Sequence, residues 1–391
     1  MPRAPRPAVL LGLTMLLGLL VAVPAEAAKR KVPFGFFGTV APPMTEAAVD
    51  GQMALMARSG VESERLIVLW ETLEPARGVY NWELLDRFAA AAAAHGLSLM
   101  PNVTQTPRWA SDRPDDPEFW RWPGDETAYA ELMRQLVLRY GPKGSFWAEN
   151  PGLPSRPIRR WQIWNEQTAP WHWKPRPWGP SYTRLLKAAY KAIHGADPRA
   201  KVVAGALVAY GSYAPWDGIR ELYRAGAKRF FDVVAVHPFT NARSPRRAAA
   251  QTLEIVRRVR ARMVRRRDRR KEIILTEMTW PAAVGEVPQS ALVQAAGLGT
   301  TRRGQALRLK AAYRRLARAR RKMRITQVYW YAWATEYDRN SPESVMAFRY
   351  SGLNRFSGGV FSPMPILRTY SKLAAKYEGC RKSDNARRCR G

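Results

Sequence analysis

The chain has 391 residues, enough for one large domain with a sizeable core. Its two cysteines, Cys380 and Cys389, exclude a fold held by a disulfide framework, and four histidines with no two spaced to chelate from one element predict neither a metal site nor a cofactor. Lys and Arg number 64 against 32 Asp and Glu, a net charge of +32 that fits either an Arg-rich solvated surface or a polyanionic partner.

Taken from the N-terminus, Arg3 and Arg6 precede an apolar run from Ala8 to Val23, followed by Pro24 and the small-x-small triplet Ala25-Glu26-Ala27. This pattern predicts a signal peptide over residues 1–27 and a secreted, extracellular chain. The run is shorter than the roughly 20 residues of a membrane span, and an uncleaved membrane anchor is the alternative. Residues 28–379 then read as one catalytic domain. Residues 380–391 form a basic tail in which Cys380 and Cys389 can pair in an oxidising compartment.

Within the domain, short β-rich runs alternate with longer helical ones. The strands are predicted at Phe34–Gly38, Arg65–Leu69, Leu97–Val103, Arg160–Trp164, Lys201–Ala206, Val233–His237, Glu272–Thr276 and Thr326–Ala332. Helices follow at 45–59, 82–94, 126–140, 180–195, 216–225, 245–267, 302–322 and 365–378. Eight strands each followed by a helix predict an α/β fold, a single (β/α)8 TIM barrel with long βα loops. A doubly wound open sheet would need a glycine-rich phosphate turn after an early strand, and no G-x-G-x-x-G is present. Loop lengths agree: long aromatic and proline-rich stretches follow strands 3, 4, 7 and 8, whereas most returns from helix to strand are brief. The long return Gly141–Ile158 departs from that rule.

Two glutamates end strands three apart in the ring. Trp161-Gln162-Ile163-Trp164-Asn165-Glu166 closes strand 4 and Ile273-Ile274-Leu275-Thr276-Glu277 closes strand 7. An isolated Asn-Glu or Thr-Glu dipeptide carries no information, since most glutamates are solvated. Their joint position at the C-terminal mouth of a barrel points to chemistry needing two facing carboxyls. Cleavage of an O-glycosidic bond with retention is such chemistry, with Glu166 as acid/base and Glu277 as nucleophile. So close a pair predicts that the surroundings raise the pKa of one carboxyl and leave the other ionised.

At these residues the chain resembles clan A of the glycoside hydrolases, retaining TIM-barrel enzymes with the acid/base after an asparagine on strand 4 and the nucleophile on strand 7. Trp70-Glu71-Thr72-Leu73-Glu74-Pro75 with Gly78-Val79-Tyr80-Asn81-Trp82 is similar to the clan's passage from strand 2 to helix 2. Thr106-Pro107-Arg108-Trp109-Ala110 and Val236-His237-Pro238-Phe239 are similar to its strand 3 and strand 6 ends. Families 39 and 5, which include bacterial exopolysaccharide hydrolases, are the nearest, although Met278-Thr279-Trp280 stands where an aromatic-glycine pair is usual. The resemblance implies that Asn165 holds the sugar 2-hydroxyl, Arg65 touches the nucleophile, His237 lines the site and Trp333 floors the sugar subsite. Trp70, Trp109 and Trp280 join Trp171, Trp173 and Trp178 as further aromatic candidates at the mouth, a row of platforms suited to an oligo- or polysaccharide. For Arg65 a structural salt bridge, and for Trp161, Trp164 and Trp330 simple packing, are the competing readings.

No cofactor is implied. The substrate class is an oligo- or polysaccharide, and an anionic one matches the charge. A transglycosylase or a non-hydrolytic carbohydrate-binding relative on the same barrel is the alternative. Export and the absence of a nucleic-acid motif argue against nucleic-acid binding, and a monomer is expected. Twelve basic residues between Pro245 and Lys271 and eleven between Arg302 and Arg324 fall on the sixth and seventh helices. Barrel neighbours of this kind should merge into one cationic face able to associate with an anionic cell envelope.

Overall fold

The computed structural model describes residues 1, 30–42, 44–115, 122–336 and 342–379. The predicted signal peptide, apart from Met1, and the predicted Cys380–Cys389 pair lie outside the described residues. Among those described, no helix is long and apolar enough to cross a membrane.

Runs such as Val233-Val234-Ala235-Val236 are apolar on both faces because each strand is covered on both sides, which is the signature of a parallel sheet. Eight such strands form: β1 (Phe37–Val40), β2 (Ser63–Leu69), β3 (Ser98–Thr104), β4 (Arg160–Ile163), β5 (Lys201–Ala204), β6 (Val233–His237), β7 (Glu272–Met278) and β8 (Ile325–Trp330). All pair in parallel in the order β5-β4-β3-β2-β1-β8-β7-β6, and Val203 against Val233 joins β5 to β6 and closes the ring. Leu207–Val208 continues β5 and pairs with Val236 and His237. The fold is a (β/α)8 TIM barrel.

Among the described residues, eight helices of ten residues or more cover it: α1 (Glu46–Arg58), α2 (Glu83–His95), α3 (Glu126–Tyr140), α4 (Trp178–Ala196), α5 (Pro215–Arg224), α6 (Pro245–Arg265), α7 (Arg302–Met323) and α8 (Pro365–Glu378). Side-chain caps fix three starts. Asp125 accepts from the N–H groups of Thr127 and Ala128, Ser244 from Arg247, and Thr301 from Gly304. The long return before β4 holds a short helix, Ser145–Glu149, tied to α3 by the indole of Trp147 donating to Tyr140 O at 3.2 Å. The loop after β8 builds a small sheet of its own from β9 (Ala334–Glu336), β10 (Asn354–Ser357) and β11 (Val360–Pro363). Gly358 and Gly359, at φ 55° and 81°, make the two-residue turn between β10 and β11, where both central residues need positive φ.

Alternation along the strands separates two cores. Val234, Val236, Ile273, Leu275, Trp161 and Ile163 pack outward against the helices. Val233, Ala235, Ile274, Met100, Val203 and Tyr329 fill the barrel. His237 shares the parity of Val233 and Ala235, and Gln162 is offset by one from Trp161, so both side chains point inward at the mouth. Glu277 has the outward parity of Leu275. A register irregularity between Leu275 and Met278 intervenes, and the bulged strand brings the carboxylate to the mouth.

The helices α6 and α7 pack side by side. Arg257, Arg258, Arg265, Arg266, Arg314, Arg318 and Arg321 are exposed there. Not every basic residue of these helices is on the surface. Arg260 is buried and its guanidinium donates to the Met323 and Lys271 carbonyls, while buried Arg308 donates to those of Ala242 and Arg243. They close the helix and loop ends as structural cations.

Candidate active site

Arg65 organises the mouth. It emerges from β2 with no exposed surface, and its fork donates to three acceptors: Nε to Gln162 Oε1 at 2.8 Å, Nη1 to Glu277 Oε1 at 2.9 Å and Nη2 to Asn165 Oδ1 at 2.9 Å. A planar guanidinium can hold a strand-4 amide, a strand-4 asparagine and a strand-7 carboxylate at once, which an ammonium cannot. The bond to Asn165 commits its carbonyl oxygen and leaves its NH2 as the group able to donate to a sugar hydroxyl.

Glu166 and Glu277 are 8% and 9% exposed. One oxygen of each, with one nitrogen of His237, lie within 4.8 Å of one another. His237, fully buried on β6, bridges the two carboxyls: Nδ1 is 2.6 Å from Glu166 Oε1 and Nε2 is 3.5 Å from Glu277 Oε1. On the other side of Glu166, His172 Nε2 is 2.9 Å from Oε2. The backbone here is strained, with Trp164 at φ 66° and Glu166 at φ 44°, conformations that cost free energy for a side-chain-bearing residue and cluster at functional sites.

These contacts set the protonation of Glu166 and correct an expectation. Burial pushes its carboxyl up, but the hydrogen bonds and charges of His172 and His237 outweigh burial and hold it well below the ordinary carboxylate range. The sequence predicts a raised pKa for one carboxyl of the pair; Glu166 is instead lowered, because two imidazoles converge on it. Nearby, burial and then the charge of Glu277 push the Tyr331 phenol up to about 12, and burial followed by the charge of Glu166 raises Tyr210.

Glu166, His237 and Glu277 are also spaced as a metal-binding group would be, in contrast to the expectation from histidine spacing along the chain. The guanidinium of Arg65 already supplies positive charge to the Glu277 oxygen in that group, so the donor set does not favour a divalent ion.

The tryptophans divide differently from the sequence reading. Trp333, expected as the floor of the sugar subsite, has no exposed surface; its indole donates to Gln52 Oε1 on α1 at 2.8 Å and its rings join the core outside the barrel. Trp70 and Trp280 are likewise packed away, donating to Glu74 Oε2 at 2.6 Å and to Thr240 O at 2.8 Å. Trp173 is buried too, and Trp161, Trp164 and Trp330 are core residues. Trp109 is half-buried beneath the Arg77 guanidinium. No row of open platforms therefore forms from Trp70, Trp173, Trp280 and Trp333, because each indole is consumed by a hydrogen bond or by packing. Trp171 remains open, 44% exposed, with Tyr213 and Tyr210 at centroid distances of 5.4 and 6.4 Å. The sequence reading missed His172, Gln162, Tyr210 and Tyr331. The inward parity of Gln162 was readable, as was that of Tyr331, two residues on from Tyr329 in the predicted strand, but His172 and Tyr210 sit in loops whose course no periodicity reveals.

The family model for glycoside hydrolase family 42, described as beta-galactosidase, matches residues 43–128, a stretch that holds Arg65 but neither Glu166 nor Glu277. The chain has the fold of the clan A glycoside hydrolases. Among solved structures, a family 39 glycoside hydrolase from the gut symbiont Bacteroides cellulosilyticus superposes with a TM-score of 0.60 at 18% identity, over 88% of this chain and 64% of that one. An exo-beta-1,4-mannosidase from an Opitutaceae bacterium gives 0.57 at 16% identity, over 90% and 61%. A GH5_18 protein of Bifidobacterium longum, solved with Manb1-4GlcNAc, gives 0.57 at 15% identity, over 88% and 78%. The chain thus spans under two thirds of the length of the first two. No curated protein matches.

Proposed function

We propose that the chain is a retaining glycoside hydrolase that cleaves O-glycosidic bonds of an oligo- or polysaccharide by double displacement. One observation carries the reading: oxygens of Glu166 and Glu277 approach within 4.8 Å at the mouth of the barrel. Retaining enzymes need carboxyls about 5–5.5 Å apart, whereas inverting enzymes leave about 6.5–9.5 Å for a water.

In this reading Glu277 attacks the anomeric carbon. Arg65 holds one of its oxygens, fixing the direction of attack, while Asn165 donates to the 2-hydroxyl, a bond that strengthens as charge develops on the ring. Glu166 protonates the departing oxygen. His237 and His172 each meet one of its two oxygens, so a proton on Glu166 is exchanged within hydrogen-bond distance of an imidazole. Once the leaving group has gone, Glu166 takes a proton from the water that releases the sugar from Glu277. Trp171, Tyr210 and Tyr213 flank the Glu166 side, which is the leaving-group side, and offer ring faces to a sugar there. The same surface would hold a sugar acceptor, and transglycosylation is the second reading it favours.

The signal-like N-terminus supports secretion, and the arginines of α6 and α7 support association with an anionic envelope or acidic polysaccharide. The catalytic reading is tested with Glu166→Ala on a panel of glycosides. Turnover of substrates with poor leaving groups should fall by about 10²–10⁴-fold, while activated aryl glycosides, which do not need the proton, lose far less. Equal losses on both would overturn the acid role.

A further inference from the structure

His172 lies on no strand, yet it reaches the carboxylate at the centre of the proposed chemistry. Two consecutive turns bring it there: Ala169 N–H donates to Glu166 O at 2.8 Å and His172 N–H to Ala169 O at 3.1 Å. The fully buried indole of Trp164 donates to the His172 carbonyl at 2.8 Å, and the Trp173 ring packs edge-on against that of Trp164 at 5.5 Å. The histidine backbone is thereby pinned to the core, while its side chain, 11% exposed, meets Glu166 Oε2 at 2.9 Å.

We propose that His172 is a positioning residue for Glu166, gripping Oε2 from the loop after β4 while His237 grips Oε1 from β6. The inference rests on the reading of Glu166 as acid/base and extends it to a residue outside the barrel strands. A glutamate's terminal torsion is broad, so one partner leaves the carboxyl plane free to turn. Partners on both oxygens fix it. An imidazole N–H given to the anion also stabilises the conjugate base. Glu166 bearing its proton becomes a stronger acid toward a departing sugar oxygen, and bare Glu166 a weaker base toward the incoming water. The other groups acting on Glu166 are His237, Tyr210 and Tyr331, with Glu277 and Arg65 behind His237.

Two substitutions test this. His172→Leu removes the donor and His172→Gln keeps one. On aryl glycosides of graded leaving-group acidity, His172→Leu should lose about tenfold in kcat where the leaving group is poor and little where it is activated, with KM nearly unchanged. His172→Gln should recover most of the loss. A second readout needs no substrate: 13C NMR of the glutamate side-chain carboxyls, with the Glu166 signal identified by its disappearance in Glu166→Gln. In the wild type that signal should titrate below the ordinary glutamate value of about 4.3, and in His172→Leu move toward it. Should His172→Leu fail to fold, His172→Asn, polar but too short to reach, takes its place in both measurements. A Glu166 titration unmoved by loss of His172, or equal kinetic losses across the leaving-group series, overturns the proposal. If no glycoside is turned over at all, the glycosidase reading falls while the NMR shift still decides whether His172 holds Glu166.

Discussion

Replacing Arg65 with Met examines the site's central contact. Met keeps the unbranched stem but not the guanidinium, so three hydrogen bonds of 2.8, 2.9 and 2.9 Å disappear from a position with no solvent exposure. Glu277 is left at 9% exposure without its counter-charge, and Gln162 and Asn165 lose a donor each. Removing one partner of a buried ion pair costs about 3–5 kcal/mol, roughly two to four powers of ten in the unfolding equilibrium. Urea unfolding at pH 7, followed by tryptophan fluorescence, measures it. The same substitution made in a Glu277→Gln background should cost about 2 kcal/mol less, since no buried anion is then stranded. Costs that agree within about 0.5 kcal/mol in the two backgrounds would mean that the pair is uncoupled and that Arg65 does not hold Glu277.

Two further outcomes follow from the site and the surface. Glu166 has a folded pKa below its unfolded value, so its contribution to stability is fully present above about pH 4.3 and is lost as pH falls through the folded value. By calorimetry the margin in Tm of wild type over Glu166→Gln should shrink below that pH; a constant margin down to pH 3 would refute the histidine clamp. Changing Arg257, Arg258, Arg265, Arg266, Arg314, Arg318 and Arg321 to Gln should abolish salt-sensitive retention on an acidic polysaccharide column and leave turnover of a small neutral glycoside intact. Retention unchanged by the substitutions would assign no binding role to this face.

The barrel was legible because its signals are local. Eight apolar runs alternate with amphipathic segments, and α3 and α8 occupy the spans predicted for them, 126–140 and 365–378. The two carboxylates were legible because strand position carries them to one end of the barrel, whereas Arg65 opens its predicted strand and came only from the family resemblance. The tryptophans were not. Whether an indole faces a cleft or the helix layer depends on which acceptor it finds, Gln52 for Trp333 and Thr240 for Trp280, and those partners lie 281 and 40 residues away. His172 was hidden for the same reason, since its approach to Glu166 is made by two turns in a loop. Phase along β7 also misleads: simple alternation turns Glu277 outward, and the irregularity between Leu275 and Met278 is a tertiary feature. The hairpin of β10 and β11 could have been read from Gly358-Gly359, a strong two-residue turn signal.

The central claim is that Glu277 forms a covalent bond to the sugar. Incubating the wild-type chain with a panel of 2-deoxy-2-fluoro glycosyl fluorides, then digesting and mapping by mass spectrometry, tests it most directly, because the fluorine slows release of the glycosyl-enzyme. The account predicts one added glycosyl group, carried by the peptide containing Glu277 and absent from Glu277→Gln. A label on another residue, or hydrolysis of these sugars with inversion and no trapped intermediate, would contradict it.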